Sequence, residues 1–460
     1  MKILTFTKGD ETRPKFEDLR DKKVLNNSIF SDIYEGAFSL IEEISTSNSH
    51  KESRYNRERN NIIAFIGERG SGKTSCLKSM YYSLDSQPNR QLPAKLREIN
   101  VSFNNQLPII DPSYLDEQSN IIEIVIAHMF RTFKDSINNS RYSLDGDNLN
   151  KKRELVGKFQ KVKEALDCTR LQHFSVSNDS IEQLSKLASG SNLHNSMEEL
   201  VKCYLEYFKF ENDDNKHMLV IAIDDLDVQT NYTYKMVEQI RKYLIIDNVI
   251  VLIGVKLIQL SDLIKKKYLE DFNDKNNALG LNDKIDDMVA RYLMKLLPLS
   301  HRLNLPSYNE VSTIKLELNL PTNKSNIQND SKPFEHQNQS MLLNVSNDSI
   351  NLHETILSLI YRKTNLMFYN TLEQENMIIP HNLRELLNLI ALLTNMREDE
   401  IDINRNSFRQ YFIESWCLDR LTPKQHVFIK ELNECDAISI NKFIIDYVYA
   451  EYASYFNDNI

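Results

Sequence analysis

The sequence predicts an α/β protein built on a parallel sheet covered on both faces. Three observations carry this. Met218-Leu219-Val220-Ile221-Ala222-Ile223 and Val249-Ile250-Val251-Leu252-Ile253-Gly254 are continuous apolar runs of strand length, the pattern of strands buried on both faces. A helical stretch over 232–246 separates them, and strands alternating with helices pair in parallel through crossovers. A third run, Ile62-Ile63-Ala64-Phe65-Ile66, ends in a glycine-rich turn that leads into helical spacing.

Composition bounds the rest. A chain of 460 residues predicts two or three domains. With 41% hydrophobic and 26% charged residues it belongs to the folded, soluble class. A net charge of −9 gives no basic excess that would make nucleic acid an obligatory partner, although a local patch stays open. The five cysteines are scattered, without Cys-x-x-Cys, which predicts reduced thiols, a cytoplasmic protein and no zinc site. The first residues lack the apolar core of a signal peptide. No apolar run approaches the length of a membrane span, so no membrane is expected.

The elements follow in order. Residues 1–60 form an N-terminal extension expected to pack beside the site, with one amphipathic helix over 29–44. The helix after the glycine-rich turn places Leu77, Met80, Tyr81 and Leu84 on one face. Leu107-Pro108-Ile109-Ile110-Asp111-Pro112 predicts a short strand ending at a turn, and 121–133 a buried helix. A helical insertion covers 134–217, with one stripe at Leu155, Phe159, Val162 and Leu166. A second stripe holds Met197, Leu200, Val201, Tyr204, Leu205 and Phe208. Ser196-x-x-Glu199 is taken as the capping box that opens that helix. Residues 256–300 are helical. In the linker 301–350, Ile314, Leu316, Leu318 and Leu320 alternate as one exposed strand, and 321–340 is a polar loop. Residues 351–460 return to apolar helices with Phe412, Trp416, Phe428, Tyr447 and Tyr452 as anchors. The domains are therefore 1–60, a core over 61–300, the linker 301–350 and a C-terminal helical domain over 351–460.

The glycine-rich turn carries the chemistry. Gly67-Glu68-Arg69-Gly70-Ser71-Gly72-Lys73-Thr74 has the spacing G-x-x-x-x-G-K-T of a phosphate-binding loop. The chain has only 10 glycines, and Gly67, Gly70 and Gly72 fall together. Glycines let successive N–H groups wrap an anion, and the next helix presents its positive end. Lys73 is placed to reach β/γ-phosphates, and Thr74 to ligate Mg²⁺. Gly67 through Ser75 are thus the expected ATP-binding residues. The companion acid is Asp224, at the end of the apolar run 218–223, as the second metal ligand. Asp225 is expected to orient or deprotonate the attacking water. Asp227 supports either role or starts the next helix.

These two motifs resemble the KAP family of P-loop NTPases, which is similar to AAA+ and STAND ATPases and has an extra strand between its nucleotide motifs. Phe65–Ser75 and Ile223-Asp224-Asp225-Leu226-Asp227 carry the resemblance. Leu252–Leu260 with Ile264-Lys265-Lys266-Lys267 resembles the family's sensor strand and following helix. Arg291-Tyr292-Leu293-Met294-Lys295 with Leu305-Pro306 resembles its YLxK…LP segment. Pro380–Asn388 resembles the lid helix. The resemblance implies a three-layer P-loop NTPase core with a C-terminal helical lid, and a lid Arg384 that reaches the γ-phosphate. It also implies the class of bacterial antiphage-defence ATPases such as the ATPase component of RADAR-type systems. Val228 stands where the family has an Arg, and Val255-Lys256 where it has Asp-Arg. The insertion lacks the transmembrane helices of many members.

Arg241, Arg291, Arg302 and Arg384 are the arginines considered for phosphate, with Arg291 or Arg302 acting as a finger across a subunit interface. The ten histidines show no metalloprotease spacing. The expected activity is that of a Mg²⁺-dependent ATPase driving assembly or conformational change on a macromolecule, as a homo-oligomer with or without a partner protein. A nucleotide-gated switch with slow turnover, or a nucleic-acid-stimulated motor or loader, are the alternatives.

Overall fold

The computed structural model describes residues 2–47, 60–84, 91–104, 107–115, 120–138, 146–171, 192–209, 213–228, 232–271, 281–308, 314–319, 352–368 and 378–416. The loop 323–339 and the anchors Phe428, Tyr447 and Tyr452 lie outside them. Two compact units emerge: Met1–Leu4 with Arg13–Pro306, and Thr5–Thr12 with Ser307–Ile460.

The first unit is α/β. Its sheet has five strands, β2 (Ile62–Ile66), β3 (Val101–Asn104), β4 (Lys216–Ile223), β5 (Val249–Val255) and β6 (Arg302–Asn304), in the order β3-β4-β5-β2-β6. Every pairing is parallel. The strand before the glycine-rich loop and the strand before the acid pair are therefore not neighbours; β5 lies between them. All residues of β2 and β5 are buried, as two-sided cover requires. One face joins Ile62, Ala64, Ile221 and Val251 to a cluster with α4 (Ile121–Asn138), α5 (Gly146–Leu171) and α6 (Leu193–Phe208). Against the opposite face lies α3 (Lys73–Ser83), whose Leu77 approaches Gly254. Asn61 pins the start of β2 by donating to the carbonyls of Leu244, Ile246 and Val249 at 2.8, 3.2 and 3.0 Å.

The insertion is helical where it is described. α5 and α6 pack on each other, and both predicted stripes are buried. Phe133, Phe159 and Tyr207 stack between them, with centroids 6.0 and 5.0 Å from Phe133.

Several local expectations need correction. α6 begins at Leu193 with Asn192 as its cap, so Ser196-x-x-Glu199 is inside the helix and not its start. Leu193 is 1% exposed, and its burial draws one more turn into the helix than the polar motif indicated. Residues 107–112 make a single bridge, Ile110 to Ile223, and no strand. The N-terminal helix expected over 29–44 is present as α2 (Ser31–Ser47); a further short helix, α1 (Lys22–Asn27), precedes it and is closed by the Ser28 N–H on the carbonyls of Val24 and Leu25. Two short strands, β3 and β6, add edges that were not foreseen.

After α6 the first unit continues with α7 (Thr233–Tyr243), α8 (Leu257–Asp271) and α9 (Leu281–Leu296). The second unit is mainly helical, with α10 (Leu352–Thr364), α11 (Leu383–Asn395) and α12 (Ile401–Tyr411), among other described segments. Here β1 (Lys2–Thr7), whose second half belongs to this unit, pairs with β7 (Ile314–Asn319). The strand expected to be exposed is covered on one side: Ile314 is 1% and Leu316 8% exposed. Buried Asn404 ties the unit together by donating to the carbonyls of Lys363 and Arg397 at 2.8 and 2.6 Å. Among the described residues no helix is long and apolar enough to cross a membrane.

Candidate functional site

The carboxyl ends of β2, β4 and β5 bring the predicted motifs to one place, all within the first unit. The loop after β2 needs its glycines. Gly70 and Gly72 have φ of +84° and +104°, where a side chain is strained. At Gly67 the constraint is space: a Cβ there would strike Ser71 Oγ and come within 3.3 Å of Leu305 Cβ. Leu305 is there because its N–H donates to the Ile66 carbonyl at 2.8 Å, which continues the β6 pairing. Gly72 caps α3, and Cys76 N donates to its carbonyl at 3.0 Å.

Lys73 is buried, and its ammonium donates to the carbonyls of Gly67 and Glu68, both at 3.1 Å. The cation is thus folded onto its own loop. Ser71 Oγ is buried and has no hydrogen-bond partner among the described residues. Arg69 is exposed. Ser75, predicted to bind nucleotide, has its hydroxyl engaged by the Lys15 N–H at 3.1 Å.

Asp224 ends β4. Its N–H donates to Ile110 O at 2.8 Å, and Ile110 N to Ala222 O at 2.9 Å. This fixes the backbone at the acid. The carboxyl is 5% exposed. Burial first, then the charges of Asp225 and Asp111, push its pKa up to about 6, against a hydrogen bond from Thr74 and the charge of Lys78. Thr74 and Asp224 thus stand beside each other, which brings the two motifs together. Gly254 of β5 leaves room for the acid, since a Cβ there would lie 2.8 Å from Asp224 Oδ1. Asp225 is half-buried with φ +47°, a left-handed conformation, and its N–H donates to Asp224 Oδ1 at 3.1 Å. Asp227 is buried, its pKa raised by burial, and Oδ1 accepts the Lys256 N–H at 3.1 Å.

Lys256 was noted in the sequence only as a departure from a pattern. Its ammonium forms an ion pair with Glu68 of the loop, so two lysines meet at residue 68. Nothing local marks this contact, which depends on β5 lying beside β2.

The arginines go elsewhere. Arg241 stacks on the Tyr292 ring, 5.7 Å from its centroid. Arg291 pairs with Asp287 on its own helix at 2.9 Å. Arg302 donates from Nε to Leu297 O at 2.9 Å. Arg384 is the exposed second residue of α11, a helix capped by Asn382 through Glu385 N at 2.9 Å; it belongs to the second unit.

The donor set suits a divalent hard cation. Thr74 and Asp224 offer oxygens side by side, and among the described residues no three His, Cys, Asp or Glu side chains form a metal cage. Magnesium bound with a polyphosphate needs only one or two protein ligands. Compared with protein-family models the chain matches none, and compared with curated proteins it again matches none.

Proposed function

We propose that the chain is a Mg²⁺-dependent ATPase whose nucleotide site is loop 67–74 and the acids after β4, and that hydrolysis drives assembly or conformational change on a macromolecular partner. One observation carries the reading: the glycine-rich loop, with positive φ at Gly70 and Gly72 and Lys73 folded onto it, leads into a helix whose first-turn Thr74 stands beside the buried acid Asp224 at the carboxyl end of β4. The intervening strand β5 adds support, because the resemblance implies such a strand.

In this reading the N–H groups of the loop and the first turn of α3 hold the polyphosphate. Lys73 exchanges its two carbonyl partners for phosphate oxygens. Thr74 and Asp224 would hold Mg²⁺, which neutralises charge on the β- and γ-oxygens when bound. Asp225 orients water and takes its proton. Asp227 is bound through the Lys256 N–H and therefore braces the turn rather than acting as base. Lys256, beside Glu68, supplies a second cation from the same chain.

Calorimetry with Mg·ATP and steady-state phosphate release test this. Lys73→Ala should lose ATP affinity with the fold intact, and Asp225→Asn should bind ATP but not turn it over. Wild-type affinity in the Lys73 variant ends the nucleotide reading. A slow switch is the second reading. Arg302, which donates from Nε to Leu297 O within its own turn, favours it for the isolated chain. A single-turnover rate far above the steady-state rate would distinguish it.

A further inference from the structure

Residues 14–18 have no regular secondary structure and belong to no sheet. Three backbone N–H groups of this strap and of Leu19, which follows it, donate instead to hydroxyls on α3. Lys15 N reaches Ser75 Oγ at 3.1 Å, Glu17 N reaches Ser79 Oγ at 3.0 Å, and Leu19 N reaches Ser83 Oγ at 3.1 Å. This spacing is that of an extended chain: two extended residues advance about 6.6 Å, and four helical residues about 6.0 Å. The strap is held at other points too. Glu17 accepts from Ser28 Oγ at 2.6 Å and Tyr34 Oη at 3.1 Å, and Phe16 packs edge-on to Tyr82 at 5.9 Å. Leu19 is 1% exposed.

Strap and helix run in the same direction, so residues before Lys15 lie toward the helix N-terminus. Arg13, at the bend before the strap, lies at most about 6–7 Å beyond Lys15. Lys73 lies only about 3 Å before Ser75 along the helix. Arg13 is thereby carried level with the glycine-rich loop, where the chain turns. Its side chain is exposed and makes no ion pair among the described residues. A guanidinium is suited to phosphate oxygens, and it cannot lose its charge. Buried Ser71 Oγ, with no partner among the described residues, is an independent sign that the loop is shaped for a ligand.

We propose that Arg13 is a phosphate-contacting residue of the nucleotide site, delivered by the strap and set in register by the serine ladder. Ser79 is then a positioning residue. The inference rests on the nucleotide reading above.

Calorimetry on the full chain with Mg·ATP tests it, using Lys73→Ala, Arg13→Ala, Arg13→Lys and Ser79→Ala. Arg13→Ala should bind about tenfold more weakly, as expected for a lost charged hydrogen bond. Its thermal midpoint should not change, its affinity should depend less on salt, and Arg13→Lys should recover part of the loss. Ser79→Ala should weaken binding and speed hydrogen exchange at 15–19. Wild-type affinity in Arg13→Ala, beside lost affinity in Lys73→Ala, overturns the Arg13 assignment and leaves the nucleotide reading standing. Wild-type affinity in Lys73→Ala overturns both. If Ser79→Ala does not fold, the two Arg13 variants decide alone.

Discussion

Asp224 is a carboxyl group kept where ionisation is costly, with burial and the Asp225 charge both opposing it. A carboxyl that holds its proton more tightly in the folded state adds stability where it is protonated. That contribution is fully present below about pH 4, the unfolded pKa, and is lost as pH rises through about 6. Two consequences are measurable. At pH 7, Asp224→Asn should raise the stability of the ligand-free protein by about 1–3 kcal/mol while weakening Mg²⁺ dependence and turnover together; chemical denaturation checks the first and phosphate release titrated with Mg²⁺ the second. Apparent Mg²⁺ affinity in the presence of ATP should rise as pH passes through about 6, because metal and proton compete for one carboxylate. A flat profile from pH 5 to 7 would show that Asp224 is not the ligand. Asp225→Asn is the cleaner probe of hydrolysis, because Asn tolerates the left-handed conformation at φ +47° as readily as Asp does. Its fold and ATP binding should persist while turnover stops.

Elements explain why some of this was legible beforehand and some was not. β2, β4 and β5 are long apolar runs, so their burial could be read from composition, and the loop between β2 and α3 carries its own spacing. β3 is four residues and β6 is three, Arg302-Leu303-Asn304. No periodicity survives at that length, and both are held by pairing with strands distant in sequence. Gly254 shows the same limit: it reads as the last residue of a strand, and only the β4–β5 pairing reveals that it makes room for Asp224. Gly254→Val should therefore push the carboxyl away from Thr74. The expected result is a lower thermal midpoint together with weaker Mg²⁺ dependence; loss of stability alone would make Gly254 a packing residue and nothing more. Lys256 likewise became visible only when β5 placed it beside Glu68. Lys256→Met should lower turnover more than ATP affinity if its cation acts on charge that develops during the reaction. An equal fall in ATP and ADP affinity with unchanged turnover would assign it to ground-state binding.

At the scale of the molecule, the proposed hydrolysis turns on which positive charge completes the site. Phosphoryl transfer spreads charge over the γ-oxygens, and an arginine is commonly added to the loop lysine and the metal. Within the first unit Lys256 and Arg13 are candidates from the same chain. Arg291 remains a candidate from a neighbour, because its pair with Asp287 is 75% exposed on the arginine side, and an exposed pair of this kind is worth little and is easily surrendered. Arg384 is carried by the other unit. The routes differ in how activity depends on concentration. A neighbour's arginine makes specific activity climb as chains assemble, and a subunit with Arg291→Ala should be rescued by mixing with Lys73→Ala subunits that supply theirs. The gain should be of the order of 10³–10⁵ in rate, the range of known arginine fingers. We favour the homo-oligomer. Activity per chain that stays flat from nanomolar to micromolar, with a monomer mass in ATP, would refute it. The charge would then have to come from Lys256, Arg13 or Arg384 of the same chain, which the single variants separate.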